Sequence, residues 1–152
     1  MSTEQPKIIV SRSFARPPTD VFAAWVTPEL ISRWMFGPKV REEEIVSLTV
    51  DHFVGGEFSF VVRRQGQELD HAGRYLEINE PHRLRFTWGV RNISKDESEV
   101  IVEIGARESG SELTLTHLIH PAWIEFSEKT KEGWSKMLDH LEPALEQYFL
   151  QG

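Results

Sequence analysis

Residues 130–149 read TKEGWSKMLDHLEPALEQYF, and their apolar side chains recur at intervals of three and four residues. This spacing predicts a long amphipathic helix near residues 124–150, because side chains three or four positions apart share one helix face. Since Pro143 lacks a backbone N–H and crowds the preceding turn, we expect a kink or break near Glu142. The predicted apolar face comprises Thr130, Trp134, Met137, Leu138, Leu141, Leu145, Tyr148 and Phe149.

A helix with one apolar face buries that face against another element. We expect residues 45–119 to form this element. Their hydrophobicity alternates with the period of two that is typical of β-strands. The separators between the alternating segments are short and polar and leave no room for crossover helices, so we expect an antiparallel meander. The predicted strands are 45–53, 57–64, 70–79, 83–90, 98–107 and 111–119.

The same alternation predicts one buried and one solvated face for this sheet. His71 and Tyr75 share one face of their strand. Leu76 and Ile78 lie on the opposite face and favour its burial, so the pattern leaves the orientation of the first pair open. The predicted inner face carries Phe58, Phe60, Val62, Leu84, Phe86, Trp88, Val100, Val102, Ile104, Leu113, Leu115 and His117.

The N-terminal part of the chain adds one strand and two short helices. Residues 7–14 alternate and are rich in β-branched side chains, which predicts a strand. Pro18 and Pro28 each fit the first position of a helix, and Gly37-Pro38 ends the second one. The element order β-α-α-β6-α is that of an α+β fold, in which a curved sheet of seven strands wraps around the C-terminal helix.

Composition excludes several classes of protein. The 152 residues suit one domain, and a formal net charge of −7 argues against nucleic acid and anionic membranes as partners. The absence of cysteine excludes disulfides and thiolate metal sites. Neither a metal site nor a cofactor motif is predicted, and His117 and His120 are poorly spaced for a metal pair on a strand. The polar N-terminal residues 1–7 resemble no signal peptide, so we expect a cytoplasmic protein.

Two charged clusters are interpreted as ordinary surface. Glu42-Glu43-Glu44 precedes a strand and is predicted to be a solvated run of charge. Arg63 and Arg64 lie near a turn and are predicted to be exposed. Neither cluster is assigned a chemical role.

Several short motifs occur in order along most of the chain. They are Thr27-Pro28-Glu29-Leu30 with Arg33-Trp34, Gly55-Gly56-Glu57-Phe58, Gly73-Arg74-Tyr75-Leu76-Glu77-Ile78 with Pro81, Leu84-Arg85-Phe86-Thr87-Trp88, Leu113-Thr114-Leu115-Thr116-His117 and Gly133-Trp134. In these motifs the chain resembles the SRPBCC superfamily, and most closely the branch named after the activator of the heat-shock protein 90 ATPase. After Trp34 relatives commonly have a second Trp, whereas this chain continues with Met35-Phe36.

The resemblance implies the helix-grip fold of START domains and birch-pollen-type allergens, with a single domain over residues 1–152. In many relatives a cavity between the sheet and the C-terminal helix holds a hydrophobic or amphiphilic small molecule. His117 would offer the polar contact there, and the alternative is a core histidine satisfied by its neighbours. The predicted ligand-cavity residues are Trp34, Phe58, Phe60, Tyr75, Phe86, Trp88, His117, Trp134, Met137 and Leu138.

Three functions are compatible with this prediction. The first is binding of a hydrophobic or amphiphilic small molecule, without a cofactor. The second is a stress-related modulator of a chaperone ATPase that acts through its surface, with a chaperone as partner. The third is a cavity enzyme of cyclase or hydrolase type, in which His117 would serve as a base. No catalytic residue is assigned, and a homodimer is a further expected partner arrangement.

Overall fold

A computed structural model describes residues 6–150 of the chain, and residues 1–5 and 151–152, including most of the polar N-terminal segment, lie outside this range. Within the described residues, seven strands form one antiparallel sheet in the order β1-β7-β6-β5-β4-β3-β2. The predicted fold class is confirmed. The strands are β1 (Lys7–Phe14), β2 (Glu44–Val50), β3 (Glu57–Arg64), β4 (Gln67–Asn79), β5 (Arg83–Val90), β6 (Ser98–Arg107) and β7 (Gly110–Leu118).

The two short helices begin at the predicted prolines. Helix α1 spans Pro18–Val26 and helix α2 spans Pro28–Trp34. Proline suits the first helical position, because the N–H that it lacks has no partner within the helix there. Both helices bury their apolar side chains against the sheet. Their fully buried residues include Val21, Phe22, Leu30, Ile31 and Trp34.

The C-terminal segment is divided into three helical parts. A 3₁₀ helix (Pro121–Phe126) leads into α3 (Ser127–Asp139), and α4 (Leu141–Leu150) follows. The predicted break is confirmed, and it falls at His140, just before the expected position. Pro143 therefore lies in the first turn of α4, where a missing backbone N–H removes no helical hydrogen bond.

The inner and outer faces of the sheet are as predicted. Eleven of the twelve predicted inner residues are buried, and the twelfth, Trp88, is partly buried and packs against the core. Charges on the outer face pair across the strands. Arg83 contacts Glu103 at 2.7 Å, and Arg85 contacts Glu99 at 3.0 Å.

A β-bulge decides the orientation of β4. Tyr75 pairs with Phe86 and Ile78 pairs with Leu84, so four residues of β4 face three of β5. The extra residue lets Tyr75 and Ile78 both point inward, since a bulge interrupts the alternation of faces. His71 and Tyr75 are buried, whereas Leu76 is 36% exposed. The conflict in the sequence pattern thus arises from one additional residue.

Gly73 allows close packing on the inner face of β4. It lies opposite Phe58 of β3. A Cβ atom at this position would lie 1.8 Å from the carbonyl oxygen of Thr87 and 2.8 Å from the ring of Phe58. Only glycine fits such an approach. The sheet can therefore bend sharply under the aromatic side chains that form the core.

Glu43 is buried, which corrects the prediction of a fully solvated acidic run. Its carboxylate accepts hydrogen bonds from the backbone N–H of Gly37 at 2.7 Å and from Arg41 at 2.9 Å. Arg64 donates to the other carboxylate oxygen from two nitrogens, at 2.7 and 3.0 Å. Burial is tolerated because the charge is fully paired. The loop after α2 is thereby fastened to β3, and Arg64 is half-buried instead of freely exposed.

None of the helices within residues 6–150 is long and apolar enough to span a membrane.

Candidate functional site

An aromatic cluster fills most of the space between the sheet and the helices. The rings of Trp25 and Trp134 lie 5.9 Å apart, and those of Trp134 and Trp88 lie 5.3 Å apart. Phe58 continues the cluster at 6.0 Å from Trp88. A void of about 10 Å³ lies among side chains of this cluster. It is lined by Trp25, Met35, Phe58, Phe60, Tyr75, Phe86 and Trp88.

Trp25, which lines this void, carries an unusual polar group. The indole Nε1 of Trp25 is buried and has no hydrogen-bond partner among the described residues. A void of this size has room for about one water molecule. Trp88 forms part of its wall, and the same side chain also borders the larger open space described next.

The larger space is a groove of about 430 Å³ at one end of the sheet, where β4 and β6 begin and β5 and β7 end. The loop 91–97 forms one side, and the 3₁₀ helix with the first turn of α3 forms the other. Its lining is largely apolar. The lining residues are Gln67, Leu69, Trp88, Gly89, Val90, Ile93, Ser94, Asp96, Ser98, His117, Ile119, Trp123, Phe126 and Thr130.

The predicted cavity residues are divided between the core and the groove. Trp88 and His117 line the groove. Met137 is partly buried and packs against the core. Ligand contact by any of the ten residues stays a prediction. The remaining seven are buried in the core behind the groove: Trp34, Phe58, Phe60, Tyr75, Phe86, Trp134 and Leu138.

The sequence interpretation missed the outer wall of the groove. Ile93 lies in a loop whose polar sequence predicts only a connection between strands, and this residue is 51% exposed. Trp123 and Phe126 lie in the 3₁₀ helix with their rings 5.7 Å apart. For Ile93 and Trp123 the available signal is an apolar side chain at a predicted loop position, because such positions normally face water.

His117 and Trp134 make a buried hydrogen bond at the inner end of the groove. Trp134 Nε1 donates to His117 Nδ1 at 2.9 Å. An indole N–H can only donate, so Nδ1 must carry a lone pair and the proton of the neutral imidazole lies on Nε2. The tautomer is thus assigned from the hydrogen bond.

Burial keeps this imidazole neutral. Desolvation lowers the pKa of His117 to about 4. No residue within 6–150 forms a hydrogen bond with Nε2, and His117 borders the groove. His117 can therefore donate a hydrogen bond to a molecule in the groove, but in this tautomer its Nε2 cannot accept a proton as a base does.

The mouth of the groove is held by contacts around His120. Its backbone N–H donates to Ser98 Oγ at 3.0 Å. Its Nδ1 accepts from the backbone N–H of Ala122 at 3.1 Å, and Nε2 lies 3.7 Å from Asp96 Oδ1. These contacts connect the 3₁₀ helix with the loop 91–97 and with the start of β6.

His71 belongs to the core and not to the groove. Its ring packs 4.5 Å from that of Phe36, and its Nδ1 lies 3.4 Å from the carbonyl oxygen of Phe60. Desolvation lowers its pKa to about 4, and nearby Arg64 contributes to the same shift. Across residues 6–150, no group of three or more acidic or histidine side chains is arranged to hold a metal ion.

A family model and several solved structures match this chain. The family model described as activator of Hsp90 ATPase homolog 1-like protein matches residues 15–146. None of the curated proteins compared with the chain matches it.

Solved structures with a similar fold align with nearly the whole chain. Protein NE0264 from Nitrosomonas europaea is 24% identical, with a TM-score of 0.80 over 97% of this chain and 98% of that one. The AHSA1-like protein from Aeromonas hydrophila is 22% identical, with a TM-score of 0.78 over 95% of each chain. Protein SA2116 from Staphylococcus aureus, described as of unknown function, is 17% identical, with a TM-score of 0.82 over 97% of each chain. At these identities the likeness shows the fold.

Proposed function

This chain belongs to the family of activator of Hsp90 ATPase homolog 1-like proteins, and on that premise we propose that it binds a hydrophobic or amphiphilic small molecule in the groove beside His117. The observation that carries this proposal is the fixed imidazole tautomer. It leaves one N–H donor, on Nε2, at the inner end of a largely apolar groove. Apolar sites with a few placed polar groups are typical of small-molecule binding.

The size and lining of the groove suit such a ligand. Its volume of about 430 Å³ lies within the range of about 300–1,000 Å³ that is usual for ligand pockets. Burial of apolar surface provides about 25 cal/mol per Å² and depends little on orientation. Affinity would therefore come mainly from Trp88, Ile119, Trp123 and Phe126.

His117 would orient the ligand. A carbonyl, ether or hydroxyl oxygen could accept the Nε2–H, and one such hydrogen bond contributes about 1 kcal/mol. The ligand end with the oxygen would then lie deepest, and the apolar remainder would extend along Trp123 and Phe126. The cavity-enzyme alternative required His117 to act as a base, and the tautomer fixed by Trp134 does not support that role.

A fluorescent apolar probe tests the proposal directly. Titration should give saturable binding and quench the intrinsic fluorescence, because Trp88 and Trp123 lie in the groove wall. Ser94→Trp should fill the groove and abolish binding. Ser109→Trp is the matched control, since Ser109 lies in the exposed turn between β6 and β7, at the other end of both strands.

Two results would overturn the proposal: no saturable binding to the wild-type protein, or equal binding to both variants. The chaperone-modulating surface stays a prediction. It would take first place after such a result, because it requires no occupied groove.

A further inference from the structure

The lining of the groove includes a negatively charged side chain and lacks a positively charged one among the described residues. Asp96 is its acidic residue, and no lysine or arginine lies among the described residues that form the wall. His117 does not compensate for this charge, because burial keeps its imidazole neutral. The groove thus has a hydrogen-bond donor but no cation.

The basic residues of the loop 91–97 line a different cleft. Arg91 and Lys95 line a separate cleft of about 220 Å³. Arg91 is engaged there by Asp70, whose Oδ2 accepts from two of its nitrogens at 2.9 and 3.1 Å. Both basic residues of the loop 91–97 thus line the second cleft, together with the acidic Glu97, whereas Asp96 lines the groove.

A carboxylate would be poorly accommodated under these conditions. Transfer of an ionised group from water into a largely apolar groove is costly unless an opposite charge pairs with it. The groove wall provides no such charge, and Asp96 adds repulsion at the mouth. An uncharged oxygen accepts the same hydrogen bond from His117 Nε2 without this cost.

We propose that the groove selects uncharged amphiphiles, with an amide, ketone or ester oxygen at the deep end, over fatty-acid-type carboxylates, and that Asp96 contributes to this selection. This inference rests on the proposed function, since it names the class of ligand for the same groove. It also gives Asp96 a role in specificity that is independent of the packing of the core.

Decanamide and decanoate provide a matched pair of ligands, since they have the same chain length and differ in the charge of the head group. Each would be used to displace the fluorescent apolar probe from the full-length protein at pH 8, where decanoate is ionised and histidine side chains are ordinarily neutral. Decanamide should displace the probe at a concentration at least tenfold lower than decanoate.

Two charge-removing variants then test the role of Asp96. Asp96→Asn should raise the affinity for decanoate severalfold more than it changes that for decanamide, so that the ratio of the two affinities falls. Glu108→Gln removes the same charge from the exposed turn between β6 and β7 and should alter neither affinity. Thermal unfolding of each variant checks that the fold is retained.

The possible failures can be distinguished. If the probe itself does not bind to the wild-type protein, the proposed function fails, and this inference fails with it. If the probe binds but decanoate competes as well as decanamide does, the charge selection is wrong and the proposed function stands. The inference is also overturned if Asp96→Asn and Glu108→Gln change the decanoate affinity equally.

Discussion

Trp134 of α3 and His117 of β7 are joined by a buried hydrogen bond, with 2.9 Å between Nε1 and Nδ1. The bond ties the C-terminal helix to the end of β7, and it also determines which nitrogen of the imidazole carries the proton. Stability and the proposed ligand recognition therefore depend on the same pair of side chains. The unfolding free energy and the affinity for a probe ligand can be measured separately.

The pair should show strong energetic coupling. His117→Leu leaves the indole N–H buried without an acceptor, which costs about 1–3 kcal/mol beyond the loss of packing. Trp134→Phe removes that donor. The double variant should therefore lose less unfolding free energy than the sum of the losses of the two single variants. Urea unfolding of the wild type, both single variants and the double variant gives the coupling free energy. Additive effects would show that the bond contributes nothing.

Ligand affinity should respond differently to His117→Leu. The affinity for a probe with a carbonyl head should fall about fivefold or more, because one hydrogen bond of about 1 kcal/mol is lost. The affinity for a purely apolar probe should stay within twofold. Fluorescence titration with both probes measures the difference. A parallel loss for both probes would indicate that the groove itself is distorted.

Trp134→Ala and Trp123→Ala should separate the core from the groove wall. Trp134 is 2% exposed and sits in the aromatic cluster, so its truncation should cost about 3–5 kcal/mol of unfolding free energy. Trp123 is partly exposed and lines the groove, so its truncation should cost far less and should weaken probe binding. Denaturant unfolding and titration of both variants test this. Equal stability losses would contradict the assignment.

Acid should weaken the fold through His71 and His117. Both folded-state pKa values are lowered from 6.5 to about 4, mainly by burial. Between these values the unfolded chain binds more protons than the folded one, so stability falls as the pH decreases from about 6.5 to 4. Above pH 6.5 the full contribution is present. Each shift corresponds to roughly 3 kcal/mol at 1.36 kcal/mol per pKa unit.

Unfolding free energies at pH 7.5, 5.5 and 4.5 measure this slope. His117→Leu removes one of the two titrating groups, so the slope of this variant should be about half as steep as that of the wild type. An unchanged slope would mean that His117 does not titrate over this range. His71 would then account for the effect, together with Arg64, Arg41 and Glu43, which influence its pKa.

Glu43→Gln and Glu44→Gln form a matched pair of neighbouring substitutions. Glu43 is buried and accepts four hydrogen bonds, so loss of its charge should cost about 2–3 kcal/mol. The side chain of Glu44 is 77% exposed and lies 3.6 Å from Arg63, and its replacement should change stability by less than about 0.5 kcal/mol. Thermal or urea unfolding distinguishes them. Similar losses would argue against the buried ion pairs.

Much of the fold follows from local signals in the sequence. Alternation predicted the strands and their buried faces, and prolines marked the starts of α1 and α2. The missed start of β4 has a local cause. Gln65 and Gly66 both adopt positive φ, at 52° and 79°. Such a tight turn lets β3 pair with β4 directly beside it, so β4 begins three residues earlier than predicted.

Other features depend on contacts between distant residues. Glu43 looked solvated because its partner Arg64 is 21 positions away, and no local pattern predicts that pairing. The bulge at β4 is recognised only once the register with β5 is known. The groove lies at the sheet end because a loop and a 3₁₀ helix extend beyond the strands, and the backbone path of such segments is not encoded by periodicity.

Trp88 borders both the groove and the small void that Trp25 also lines. The depth of the groove is consequently limited by a single side chain. This side chain belongs to a strand and not to a loop. A smaller residue at this position would extend the groove toward this void and deepen it. Under the proposed function, the chain length of the ligand would be adjustable at this one position, while the sheet, its register and the covering helices stay as they are.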